Sequence, residues 1–281
     1  MLVLRNDRLI DILEELKKER GVDFSGYRSS MLERRTQKRM FETNNNPDEY
    51  LKYLKETPSE LDNLIDVFTI NVSGFFRDPL IYEYIKKKIL PQLFLKKKRK
   101  KENFIRIWSA GCALGEEPYS IAIMLNEFLK KEDLRMNISI IATDIDKKAL
   151  LRAAEGNYGI NSVRNVMYGI LNEYFIKEGN KFKLNSEIID MVQFSYYDLL
   201  DNNNSVPPDS IFGDFDLVFC RNVLIYFTKD SQERIFSKLH RSLNKNGFLI
   251  LGNAEIPSGG FINRLSRENK LCKIYMKAKS E

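Results

Sequence analysis

Three short stretches hold the side chains that could do chemistry together: WSAGCALGEEPYS at 108–120, ATDID at 142–146 and CRNVLIYF at 220–227. The apolar run Phe104 to Trp108 (FIRIW) reads as a buried strand, and YSIAIMLNEFL has the spacing of a buried helix face. The first stretch is therefore a strand–turn–helix junction with glycine at Gly111 and Gly115. Such a junction usually turns backbone N–H groups and a positive helix end toward a phosphate. Asp144 directly follows a second strand-like run, where a carboxylate can accept from both hydroxyls of a ribose. Arg221 and Asn222 follow a third, FDLVFC. Ligands of open α/β sheets lie beyond the C-terminal ends of the strands, so these three polar ends point to an adenosine-type ligand.

Charge then selects among such ligands. A pyrophosphate at the first turn would face Glu116 and Glu117, at a cost on the order of 1 kcal/mol even at high effective dielectric. Neither GxGxxG nor a P-loop lysine is present. S-adenosylmethionine resolves the conflict, because it carries a sulfonium and an ammonium and no phosphate. An acid in the first turn of a helix also meets the helix dipole favourably. Of the two glutamates, Glu117 is expected to face the ligand.

The elements that must position these residues fall into two textures. Residues 1–70 read as a small all-helical N-terminal domain. RLIDILEELKKER stops at Gly21, YRSSMLERRTQKRMFE follows, and two further helices open at Pro47 and Pro58. Helical spacing places Arg34, Arg35, Lys38 and Arg39 together on one exposed side of the second helix. Residues 71–103 form a linker and a first helix. From 104 to 281 short β-rich runs alternate with helical ones, which argues an α/β domain with a mainly parallel, doubly wound sheet. The stretch from about 160 to 196 breaks the rhythm and is expected to be a small antiparallel β-insertion with a hairpin at Glu178–Asn180.

The totals narrow the class. The chain has 281 residues, 43% of them apolar, and three well-separated cysteines, Cys112, Cys220 and Cys272. These figures fit a folded protein of a reducing, cytoplasmic compartment, without a disulfide framework or a metal site. No apolar run reaches membrane-spanning length, and the charged N-terminus lacks a signal-peptide core. The net charge of +6 is concentrated in Lys86–Lys88 and Lys96–Lys101, nine cations read as a solvated helix and loop rather than a nucleic-acid patch.

TINVSGFFRD (69–78), WSAGCALGEEPYSIA (108–122), ATDID, VQFSYYDLL (192–200) and FCRNVLIYF (219–227) together resemble the chemotaxis-receptor glutamate methyltransferases of the CheR type. The resemblance spans nearly the whole chain. It implies a class I S-adenosylmethionine-dependent, Rossmann-like methyltransferase domain with a β-subdomain insertion. It also implies methyl transfer to receptor glutamates, giving glutamyl methyl esters and S-adenosylhomocysteine. Carried over residue by residue, the cofactor contacts fall on Asn71, Ser73 (usually threonine), Arg77, Gly111, Glu117, Asp144, Asp198, Leu199, Arg221 and Asn222, with Arg77 and Tyr226 as the catalytic pair. Two departures stand out: Asp198 where an asparagine is usual, which cannot donate an amide proton, and GNAEI at 252–256 where many members read GHSE. The single histidine, His240, is expected on a helix surface rather than in catalysis.

That scarcity of histidine suits the reaction. A glutamate acceptor, with a reference pKa near 4.3, is already ionised at neutral pH and needs no general base. The resemblance also makes the basic set Arg34, Arg35, Lys38 and Arg39 a docking face for the receptor's helical bundle. The short EGN turn of the insertion argues against capture of a receptor's C-terminal tail peptide as an added strand. A monomer is expected. Two other readings keep the fold: a methyltransferase for RNA or another protein, and a non-catalytic module that binds the cofactor for regulation.

Overall fold

The computed structural model describes residues 6–202, 204, 206–210, 213–269 and 271–278. The outer ends of the two expected domains, 1–5 and 279–281, lie outside the described residues. The chain divides into two compact units, one of Met1–Ile70 with Ile225–Gln232, the other of Asn71–Leu224 with Glu233–Glu281.

The first unit is built on α1 (Asn6–Arg20), α2 (Ser29–Glu42), α3 (Pro47–Glu56) and α4 (Pro58–Phe68). The chemistry of the termini sets their limits. Gly21 adopts φ +70° after α1, and Asn46 caps α3 by accepting from the N–H groups of Asp48 and Glu49. Leu9, Ile12 and Leu16 fall on one stripe of α1 and pack with Phe24, Leu32, Tyr50, Leu64 and Phe68 in a closed core. Glu60 is buried within this unit. It accepts from Arg39 Nε (2.9 Å), Arg39 NH2 (2.7 Å), the Tyr50 hydroxyl (2.8 Å) and Asn63 Nδ2 (3.1 Å).

The second unit opens with a long helical stretch, α5 (Pro79–Tyr84) and α6 (Leu90–Lys100), joined by a π-helical turn at Ile85–Ile89. Pro91 has no N–H to give to the preceding turn, which is where the helix widens. There follow β1 (Phe104–Ala110), α7 (Glu116–Glu132), β2 (Asn137–Asp144), α8 (Lys147–Glu155), β3 (Asn157–Gly159), α9 (Ile160–Val163) and α10 (Tyr168–Tyr174). Next come β4 (Phe175–Glu178), β5 (Lys181–Leu184), α11 (Ser186–Ile189), β6 (Val192–Tyr196) and β7 (Phe215–Cys220). The chain closes with α12 (Lys229–Ser242), β8 (Leu243–Leu251), β9 (Leu265–Asn269) and β10 (Ile274–Lys277).

The main sheet has seven strands in the order β6-β2-β1-β7-β8-β10-β9. The pairings from β6 to β8 are parallel, and those of β10 are antiparallel. The central strand β7 is buried along its whole length, as expected of a strand covered on both faces. A second sheet, β3-β5-β4, is antiparallel. Its membership differs from the sequence reading in two places. Asn157–Gly159 joins it, and Val192–Tyr196, assigned above to the insertion, pairs with β2 in the main sheet. Alternating and continuous apolar runs do not say which sheet a short strand enters; the parallel register with Ile140–Asp144 does.

Lys97 also departs from expectation. Instead of joining a solvated run it is only 2% exposed, with Nζ 2.9 Å from Asp216 and 3.0 Å from Glu102. No helix among the described residues is long and apolar enough to cross a membrane.

Candidate active site

Parallel pairing sets Ala110 opposite Thr143, so the turn after β1 lies beside Asp144 at the end of β2. Gly111 has φ +75°, and a Cβ there would stand 2.4 Å from Val223 Cγ2, so any other residue would be strained and would displace Val223. The donors of this turn are already engaged. Gly111 and Cys112 N–H both go to the Thr143 carbonyl (2.8 and 3.0 Å), Gly115 N–H goes to the Cys112 carbonyl, and Ala113 N–H goes to Asp144 Oδ2 (2.8 Å). Ala113 adopts φ +49° to make that contact. A phosphate would find these four N–H groups occupied, an obstacle that the electrostatic argument from sequence did not include.

The electrostatics themselves are more balanced than the sequence suggests. Glu117 accepts from Ser109 Oγ (2.9 Å) and from Arg221 NH1 (3.0 Å), while Arg221 NH2 reaches Asp78 (2.7 Å). Two carboxylates around one guanidinium leave the trio a single negative charge. Burial works to lower the Arg221 pKa, but Tyr82, Glu117 and Asp78 together raise it, so the cation is secure. Glu116 is a different case. It is 1% exposed, Ser162 Oγ donates to its Oε1 (3.0 Å), and its Oε2 has no hydrogen-bond partner among the described residues. Burial pushes its carboxyl up, offset in part by its own N–H and by the Ser162 and Ser73 hydroxyls. Asp144 is likewise raised by burial, against the pull of the Asp146 and Ala113 N–H groups.

The segment 71–78 is held against this turn at many points. Asn71 Nδ2 donates to Asp146 (2.7 Å), whose own N–H donates to Asp144 (3.0 Å). Phe75 N–H meets the Ser162 carbonyl (3.0 Å) and Phe76 N–H meets Ser120 Oγ (2.9 Å). The Arg77 carbonyl accepts from Arg221 NH2 (3.0 Å), and Arg77 NH1 folds back on the Val72 carbonyl (3.1 Å). Phe76 and Asp78 both sit at positive φ, +51° and +59°. Strain of this kind in non-glycine residues collects where surrounding contacts over-determine the backbone.

The structure therefore brings Asn71, Ser73, Arg77, Gly111, Glu117, Asp144 and Arg221 into one hydrogen-bonded neighbourhood. The Ser73 hydroxyl acts on Glu116, helping to hold its carboxyl down against burial. Asn222 follows Arg221 at φ +60°. Asp198 is engaged locally, its Oδ1 accepting from Leu200 N–H (2.7 Å), and Leu199 is buried. Tyr226 ends a short 3₁₀ turn at Leu224–Tyr226; its carbonyl accepts from Arg28 N–H (2.9 Å) and its ring packs on the helical core. His240 lies in the last turn of α12, half-buried, with its ring 5.8 Å from that of Phe261.

Two of the four proposed docking residues do not stand on an open face. Arg39 is bound to Glu60 and Glu42, and Arg35 donates to the Val67 carbonyl. Arg34 and Lys38 are exposed, and the same ridge of α2 carries Phe41 at 87% exposure. Sequence reasoning missed Asp78, Asp146 and the burial of Glu116. Asp78 lay at the end of the quoted TINVSGFFRD, and an acid next to a strongly basic site residue is the signal that could have found it.

The strand order, with a parallel centre and an antiparallel β10, is that of a Rossmann-like sheet, and with the family match that follows it makes the second unit a class I methyltransferase domain. Residues 71–263 match the family described as "CheR methyltransferase, SAM binding domain", and residues 8–69 match "CheR methyltransferase, all-alpha domain". The chain belongs to the CheR family. Similar proteins include a chemotaxis protein methyltransferase of Listeria innocua, 33% identical over 85% of this chain and 86% of the relative. That of Borreliella burgdorferi is 34% identical over 75% and 74%. Chemotaxis protein methyltransferase 2 of Vibrio cholerae is 35% identical over 73% and 70%. The methyl donor is S-adenosylmethionine, and among the described residues no group of histidine, cysteine or acid side chains could hold a metal.

Proposed function

We propose that this chain transfers the methyl group of S-adenosylmethionine to glutamate side chains of methyl-accepting chemotaxis receptors in the cytoplasm, acting as a monomer. The observation that carries the reading is the match of both its domains to the CheR family, together with a strand-end site lined by carboxylates whose turn donors are engaged. The residues suit the cofactor: Glu117 in the first turn of α7 and Asp144 at the end of β2 keep partial exposure, and Gly111 keeps the approach free of a side chain.

Asn71, Ser73, Glu117, Asp144, Asp198, Leu199, Arg221 and Asn222 are assigned to hold the cofactor. When bound, S-adenosylmethionine supplies a methyl group on a positively charged sulfur. Arg221 limits the negative charge of Glu117, so the site attracts a cation without leaving a bare buried carboxylate. Arg77 is assigned the acceptor glutamate, since a guanidinium offers paired donors to a carboxylate. Its single bond to the Val72 carbonyl leaves further N–H groups for that task. Tyr226 is assigned a hydroxyl contact to the same carboxylate. Neither residue has to remove a proton, because the acceptor is ionised near neutral pH.

Docking is assigned to the ridge of Arg34, Lys38 and Phe41 on α2, two cations and an aromatic at helical spacing, facing an acidic receptor helix. The insertion hairpin closes with only Gly179 and Asn180 between β4 and β5, and no receptor tail peptide is expected to add to it.

Transfer of a tritiated methyl group to receptor cytoplasmic fragments, with RNA as control, tests the whole reading. Base-labile label on the receptor fragment supports it. Label on RNA alone, or cofactor binding without transfer to either, overturns it.

A further inference from the structure

The carboxylate of Glu255 accepts four backbone N–H groups, and three of them are consecutive. Oε1 takes Val223 (2.8 Å) and Leu224 (2.7 Å), and Oε2 takes Asn222 (3.0 Å) and Gly252 (2.7 Å). Glu255 is 3% exposed, so water does not compete for these bonds. The three consecutive donors belong to the loop that follows β7, and the first of the three, Asn222, is held at φ +60°. Three N–H groups turned to one side of a loop form an anion nest. Here the anion is supplied by the chain itself, from the segment after β8.

We propose that Glu255 is a positioning residue for methyl transfer: it fixes the 222–224 loop, and through it the Arg221–Asn222 pair, in the conformation that receives the cofactor. The inference rests on the assignment of Asn222 to the cofactor site made above. Without an acceptor, nothing among these bonds would keep Asn222 in its left-handed conformation, which non-glycine residues adopt uncommonly. The ordering cost would then fall on the binding step. Val223, the next residue, also packs against Gly111, so displacement of the loop reaches the turn after β1. Gly252 is part of the same device. A Cβ on it would lie 2.7 Å from Glu255 Oε2 and 2.8 Å from the Asn222 nitrogen. The departure GNAEI therefore retains the two residues of that string that this arrangement uses, Gly252 and Glu255.

The test compares Glu255→Gln and Gly252→Ala with Asp216→Asn in the full chain. Asp216 is also a buried carboxylate that accepts a backbone N–H, from Arg106 (3.1 Å), but it stands at the start of β7, opposite the strand ends. Affinity for S-adenosylhomocysteine is measured by calorimetry, the thermal midpoint by circular dichroism, and kcat and KM for the cofactor by methyl transfer. The amide of glutamine keeps one acceptor oxygen and turns donors toward the remaining N–H groups. Glu255→Gln and Gly252→Ala are therefore expected to weaken product affinity roughly tenfold or more and to raise KM for the cofactor. Asp216→Asn is expected to lower the thermal midpoint while leaving affinity within about twofold. Equal affinity in all three variants overturns the positioning role. Asn222→Ala serves as the separate check on the assignment beneath it: if its affinity is also unchanged, the site reading itself falls, whereas a loss there alone refutes only the role of Glu255.

Discussion

Carboxylates of the helical unit and those at the strand ends of the sheet unit are held in opposite ways. In the helical unit, burial works against ionisation of Glu60, but Arg39, Asn63 and Tyr50 together bring its pKa below the ordinary value. Asp23 is treated alike: Lys17 and Ser25 outweigh its burial and bring it down to about 2. In the sheet unit Glu116, Asp144 and Glu255 are all raised, because burial exceeds what backbone N–H groups and hydroxyls return. A carboxylate matched by a cation stabilises a fold across neutral pH. One held by dipoles alone stays responsive to what binds beside it. The contrast separates a scaffold from a site.

The largest effect is expected where the sheet unit does use a cation. Arg221→Met strands Glu117 and Asp78 without their shared partner and should cost about 3–5 kcal/mol in urea unfolding, with loss of cofactor-product binding by calorimetry. Retained binding would break the assignment of Arg221 to the site. Arg77→Ala comes next. Methyl transfer to receptor fragments should fall about 100-fold while product affinity changes far less, since the residue is assigned to the acceptor. Full transfer removes it from the mechanism.

Glu60→Gln probes the scaffold side. Loss of charge opposite half-buried Arg39 should cost about 2 kcal/mol of stability, yet leave S-adenosylhomocysteine affinity intact. If affinity fell as well, the helical unit could not be treated as scaffold alone. Reversing Arg34 and Lys38 to glutamate should weaken receptor-fragment binding about tenfold at low ionic strength, and the difference should shrink in high salt. Binding unchanged at every salt concentration would exclude this ridge.

Glu116→Gln should give the smallest shift, and its sign is informative. A carboxyl raised in the folded state holds its proton to higher pH than in the unfolded chain, so stability falls as pH rises from the unfolded pKa near 4.5 through the folded one. The glutamine variant should therefore be at least as stable as the native chain at neutral pH and lose that advantage toward pH 4.5. Asp23 has the reverse sign, its contribution being present above 3.8 and lost as pH falls toward about 2. A Glu116→Gln variant that is less stable at every pH would show that Glu116 is matched by a partner after all.

Much of the architecture is legible in the sequence. Gly21, Asn46–Pro47 and Thr57–Pro58 mark helix ends because caps and proline act within a few residues of the chain. FIRIW, ISIIATD and FDLVFC declare strands by composition and length. The polar strand ends, and hence the cofactor class, followed from order along the sequence alone. What the sequence left undecided was the fate of each charge. Arg34 and Arg39 are alike in type and helical face, but Glu60, 21 residues beyond Arg39, draws only the latter inward. Lys97 reads as one of six consecutive cations until Asp216 arrives beside it in the fold. Glu255 is an unremarked acid until the turn of a loop 31 residues earlier presents its N–H groups. Periodicity assigns a side chain to a face. Only tertiary structure decides what covers that face, because burying a charge is tolerable solely where a distant partner has been brought to meet it.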